Sequence, residues 1–151
     1  MKATELMIDD WVLIDEPDKY AGAKAQIKTL IFHKEDDGQY FNVFIHDKLG
    51  IVRREVFNED LRPIPLTPEI LEKNGFKRDP LWHHCDKDLD NYSISVQLGY
   101  ANRIEYIKIA EKGKDNVIPS ERTKLYLTHI KYVHQFQQAL RLCGISKEIK
   151  L

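Results

Sequence analysis

The chain contains only two cysteines in 151 residues, Cys85 and Cys143. That excludes a disulfide-built scaffold, and both thiols read as small apolar residues. No apolar run approaches the roughly 20 residues a membrane-crossing helix needs, and the N-terminal stretch lacks a signal-peptide pattern. A soluble, cytoplasmic protein is the expectation. An excess of one charge is missing too: 23 Lys and Arg stand against 24 Asp and Glu, a net charge of -1. The whole-chain basic excess of many nucleic-acid binders is therefore absent. There is no glycine-rich phosphate loop, no Gly-x-Ser-x-Gly, no dinucleotide fingerprint, no internal repeat and no low-complexity segment. No cofactor is implied, and the chain reads as something other than an enzyme.

What is present suits a packed core: 42% of residues are hydrophobic and 31% charged, enough for one ordinary domain or two small ones. Charge is uneven along the chain. Residues 1–20 carry two cationic and six acidic side chains, a net −4; residues 121–151 carry six and two, a net +4. The two ends either solvate their own faces, attract each other, or leave a basic C-terminal face for a partner.

The clearest boundary is Leu61-Arg62-Pro63-Ile64-Pro65-Leu66-Thr67-Pro68. Each proline lacks a backbone donor, so this stretch reads as a hinge outside sheet and helix. It divides the chain into residues 1–62, a hinge at 63–68, and residues 69–151. After it, Thr67 suits an N-cap, Pro68 the first helical position and Asn74-Gly75 a left-handed stop. A short helix over 68–74 follows, with Ile70 and Leu71 inward and Glu69 paired to Lys73.

Before the hinge the pattern is of strands. These are Trp11–Ile14, residues 24–33, Tyr40–His46 and Ile51–Phe57, with turns at Glu35–Gly38 and Asp47–Gly50. Four short strands joined by tight turns and opened by an Asp-Trp-Val step resemble a small SH3-like β-barrel. After the hinge, Tyr92, Ile94, Val96 and Leu98 alternate with polar residues. Arg103–Ala110 and 122–128 read as further strands and 111–120 as a loop. Ile130, Val133, Phe136, Leu140 and Cys143 form one helical stripe that Gly144 ends. The fold class is thus α+β: an SH3-like barrel, then a helix, a three- or four-stranded antiparallel sheet and a C-terminal helix.

Three segments carry a second resemblance: Leu61–Thr67, Leu71-Glu72-Lys73-Asn74-Gly75-Phe76 and Ile130-Lys131-Tyr132-Val133-His134-Gln135-Phe136-Gln137. With the opening Lys2–Leu6, they resemble a group of uncharacterised short proteins of gut Bacteroidetes, often encoded near phage or mobile-element genes. The resemblance covers about a third of the chain and carries no functional residues.

Three candidate sites remain. With simple hairpin registers, one face of the first-half strands collects Leu30, Phe32, Phe41, Val43, Ile45, Val52 and Val56, the expected core. The other collects Tyr40, Phe44 and Phe57 with Arg53, Asn42, Glu55 and His46. Aromatics around an arginine suit peptide or base stacking; equally, that face suits packing against the second half. A register slip of one residue would invert the assignment. On the C-terminal helix, Lys131, Gln135, Gln138 and Arg141 could follow a phosphate backbone or simply be solvated. His83-His84-Cys85-Asp86 looks like metal-ligand material. In an extended segment, however, only His84 with Asp86, or His83 with Cys85, share a face, and nothing completes the set. His129 and His134, five apart, do not chelate together on one helix. The expected function is a non-enzymatic binding or adaptor module for a protein or peptide. The alternative is a nucleic-acid accessory of a mobile element, and a metal-dependent enzyme using His84 and Asp86 comes third.

Overall fold

The computed structural model describes residues 6–15, 20–32, 39–47, 50–79, 81, 83–89, 91–112 and 123–151, with only the backbone at 30–32, 39–40, 46–47, 50, 102 and 123–124. The chain forms two compact units, Met1–Ile64 and Pro65–Leu151.

The first unit is a five-stranded antiparallel sheet. Its strands are β1 (Trp11–Ile14), β2 (Lys24–Phe32), β3 (Gln39–Asp47), β4 (Gly50–Phe57) and β5 (Leu61–Pro63), in the order β4-β3-β2-β1-β5. Strand alternation puts Phe41, Val43 and Ile45 of β3 on one face. They are fully buried with Val12, Ile14, Ala25, Ile27, Val56 and Leu61. A register shift between Ile27 and Thr29 marks an irregularity in the β2–β3 ladder. At the entry to β1, the buried Asp10 carboxylate accepts the Met7 N–H at 2.8 Å, and Asp9, at φ 67, pairs with Lys28 at 2.5 Å. The turn expected at Glu35–Gly38 lies outside the described residues, as do the two middle residues of the one expected at Asp47–Gly50, whose ends pair with each other across β3 and β4.

Two expectations need correction here. The sheet does not close into a barrel: its ladder ends at β4 on one side and β5 on the other. Closure would require β5 to bond a second neighbour besides β1. β5 has three residues and ends in Pro63, which has no N–H to give. Conversely, Pro63 does enter a sheet, opposite Val12. It is tolerated because β5 is an edge strand.

The second unit holds α1 (Pro68–Lys73), β6 (Lys77–Asp79), β7 (His84–Asp88), β8 (Tyr92–Leu98), β9 (Ile104–Glu111), β10 (Thr123–Thr128) and α2 (Val133–Leu142). Its antiparallel sheet has the order β10-β9-β8-β7-β6, five strands where three or four were expected. The extra β6 and β7 are short and charged, so no apolar alternation announced them. The Thr67 hydroxyl caps α1 by accepting the Ile70 N–H at 3.4 Å. Glu69 turns to Thr67, whose hydrogen bond is the first cause holding its carboxyl below the usual value. Gly75, at φ 80, ends the turn as the Asn74-Gly75 pair requires.

Of the expected helical stripe, Val133, Phe136 and Leu140 lie on α2, whereas Ile130 is buried before the helix and Cys143 is its half-buried C-cap. Val133, Phe136 and Leu140 are buried, and Phe136 meets Phe76 edge-on at 5.9 Å. Behind them the C-terminal segment is clipped down. Asn74 donates through Nδ2 to the Lys150 carbonyl at 2.8 Å and accepts the Lys150 N–H at 2.9 Å. Ile145 and Ile149 are buried alongside. Lys87, opposite the buried Ile94 in the β7–β8 register, shares the inner face with Cys85. Its ammonium lies 5.4 Å from the Phe76 ring and donates to the Asn74 carbonyl.

Phe136→Ala or Leu140→Ala should cost about 2–5 kcal/mol in denaturant unfolding, as other large-to-small core changes do. Lys87 gives a pH-dependent expectation. Burial first, then Lys147 and Lys150, lower its pKa from 10.5 to about 8. Between those values the unfolded chain holds a proton that the folded chain has released, so stability rises with pH across that window. Below it the full cost of the partly buried ammonium is present. Lys87→Met should flatten that rise in thermal melts at stepped pH; an unchanged slope would show that the amine is not desolvated.

Candidate functional site

The first-half face assembles by register. In the β3–β4 ladder Tyr40 opposes Phe57, Asn42 opposes Glu55, Phe44 opposes Arg53 and His46 opposes Ile51. All eight therefore belong to one face of the hairpin, as simple turns imply. Phe44 is half-buried, with the Lys28 ammonium 5.6 Å from its ring centre. Arg53 is exposed and donates through Nε to Asn42 Oδ1 at 3.4 Å. Phe57 is 42% exposed, whereas Asn42 is only 4% exposed. The side chains of Tyr40 and His46 lie outside the described residues, as do those of Leu30 and Phe32. On the opposite face, Val52 was expected in the core with Phe41 and Val56, yet it is 37% exposed. It sits on β4, where the ladder stops, so one flank has no neighbouring strand among the described residues to cover it.

Sequence reasoning missed what β4 offers as an edge. Ile51 is 62% exposed and shares the outer face with Arg53 and Phe57. With Val52, this one eight-residue strand carries three exposed large apolar side chains beside a flank that no other strand joins among the described residues. The Ile-Val pair was visible in the sequence; what hid the edge was the assumption that β4 lies inside a closed sheet.

The histidine segment falls on β7. His84 Nε2 and Asp86 Oδ2 meet at 2.7 Å on one face of the strand. Cys85 points the other way into the core, and burial pushes its thiol pKa up. His83, at φ 51, precedes the strand, and its carbonyl accepts the Leu98 N–H at 2.7 Å and the Gln97 amide at 3.0 Å. No group of three or more His, Cys, Asp or Glu able to hold a metal occurs among the described residues. His129, at φ 62, lies before α2, while His134 is buried and stacks on Tyr132 at 5.7 Å.

On α2 and the turn before it, Lys131 is exposed, and Gln138 and Arg141 are half-buried. The Gln135 carbonyl oxygen accepts the Lys131 N–H at 2.9 Å and the Tyr132 N–H at 3.3 Å, so it serves the helix start.

A cavity of about 960 Å³ in the second unit had no sequence signal. Residues 65–69, 99–101, 103–105 and 129–132 line it, mixing Arg103, Lys131 and His129 with Glu69 and Glu105. Two of its residues, Ala101 at φ 54 and His129 at φ 62, are left-handed without being glycine. Gly99 lies against Glu105: a Cβ there would meet the carboxylate at 2.2 Å.

No family model, curated protein or solved structure matches this chain. Its geometry therefore carries the functional argument alone.

Left-handed backbone costs an alanine about 1 kcal/mol or more, which glycine avoids. Ala101→Gly should therefore keep or raise the unfolding midpoint, while Ala101→Val should lower it. A midpoint lowered by glycine would show that Ala101 is held by its methyl packing rather than strained.

Proposed function

We propose that the chain is a non-enzymatic binding module that takes up an extended peptide segment of a protein partner along β4. The observation that carries this reading is that edge strand, with Ile51, Val52 and Phe57 exposed beside it. Edge strands are usually blunted by charge, bulges or covering elements, because an open row of N–H and C=O groups invites another strand. A peptide added there gains main-chain hydrogen bonds, and alternate side chains meet one face each. On the outer face those contacts are Ile51, Arg53, Glu55 and Phe57, with Phe44 behind them. Arg53, beside Arg54 on the same strand, favours a partner with acidic positions near its apolar anchors.

The strand order, with its last strand returning to the first after a short 3-10 turn at Asn58–Asp60, suits an open relative of the SH3-like modules. Such a shape hosts many functions, so the site rather than the fold carries the reading.

Selection of peptides from a displayed library against the whole chain tests it. Phe57→Ala and Arg53→Glu should each weaken the selected peptide at least about tenfold, a loss of roughly 1.4 kcal/mol, while thermal unfolding stays cooperative. Binding that survives both changes would remove β4 from the interface. The nucleic-acid alternative separates by salt: phosphate contacts lose affinity steeply between about 50 and 200 mM, whereas strand addition changes little.

A further inference from the structure

The strand β4 reads nearly alike from either end: Ile51-Val52-Arg53, then Arg54, then Glu55-Val56-Phe57. Outward from Arg54 the order on each side is charge, valine, large apolar residue, and the two charges are opposite in sign. A two-fold axis pairs such a strand with itself, antiparallel, residue against residue. With the axis at Arg54, Arg53 of each copy stands opposite Glu55 of the other, and Ile51 stands opposite Phe57. All four belong to the outer face, where Ile51 is 62% and Phe57 42% exposed and both charged side chains are exposed. On the other face the exposed Val52 comes beside Val56 of the second copy, at the rim of its core.

Residues opposed in an antiparallel ladder share face and hydrogen-bonding phase, so the neighbouring registers differ by two residues. One step either way is worse. With the axis at Arg53, that residue meets its own copy, Glu55 meets Ile51 and Arg54 meets Val52. With the axis at Glu55, two carboxylates meet, Arg53 faces Phe57 and Arg54 faces Val56. Like charges directly opposite are destabilising, so the axis at Arg54 is singled out. There the one like-charge opposition is Arg54 with itself. Each Arg54 is held by its own unit: it is half-buried, with the guanidinium carbon 5.4 Å from the centre of the Tyr20 ring, which packs on the first core.

We propose that β4 is a homodimerisation edge, pairing antiparallel with β4 of a second copy of this chain about a two-fold axis at Arg54. This rests on the reading of β4 as a strand-adding edge and names the partner. The charged centre of the strand discourages other strands from adding, and this register satisfies it. An eight-residue edge makes a small interface, so the pair forms as concentration rises and gives way to a tighter segment.

Sedimentation velocity of the full chain over a concentration series should show monomer passing to dimer. Arg53→Glu alone or Glu55→Arg alone turns two opposite-charge pairs into two like-charge pairs. Each should raise the dimer dissociation constant at least about tenfold. Arg53→Glu together with Glu55→Arg exchanges the charges and should return the constant to within about threefold of the unaltered chain. A chain monomeric throughout, a dimer indifferent to the single changes, or a double variant as weak as the singles would overturn the self-pairing. Protection of β4 amides by a selected peptide is read separately. If it persists in a chain that stays monomeric, the strand-adding edge stands and only the second copy falls.

Discussion

Strand alternation is the constraint on which both units depend. With side chains pointing to opposite faces at every step, an antiparallel sheet has one face to bury, and each unit buries its own. In the first unit Phe41, Val43 and Ile45 set that face, and Val12, Ile14, Ala25 and Ile27 meet it from the neighbouring strands. In the second, Cys85, Ile94, Val96, Ile107 and Ile109 do the same under α2 and the C-terminal segment. Everything with chemical interest lies where this rule runs out: at the edge β4, at the left-handed turns, and at Lys87, a charged residue on an apolar face.

The edge matters because burial and backbone pairing end in the same place. β5 is too short and too proline-limited to bond a second strand, so among the described residues no strand joins the flank of β4. Ile51, Val52 and Phe57 are therefore displayed, while Val56 stays in the core. The same limitation that leaves the barrel unclosed creates the surface proposed for a partner.

How much of this was legible follows from period and punctuation. The helices were readable because Thr67-Pro68 and Asn74-Gly75 bracket one, and the stripe from Val133 to Leu140 marks the other. Strands β1 to β4 and β8 were readable from apolar or aromatic content. β6 and β7 were not, since their residues are mostly charged and their place is set by pairing to β8 rather than by local preference. The face assignment of Phe44, Arg53 and Phe57 followed from hairpin register, but the exposure of Val52 depended on which strand has no neighbour, a property of topology. The cavity lined by Gly99 and His129 is assembled from segments about 30 residues apart, which no local pattern reports.

Amide hydrogen exchange of the whole chain, with and without a peptide selected on it, is the decisive measurement. Strand addition predicts slowed exchange at the backbone amides of Gly50–Phe57 that point away from β3, with little change at α2. Slowed exchange around residues 99–105 and 129–132, with β4 unaffected, would place binding in the second unit's cavity and contradict the edge-strand mechanism.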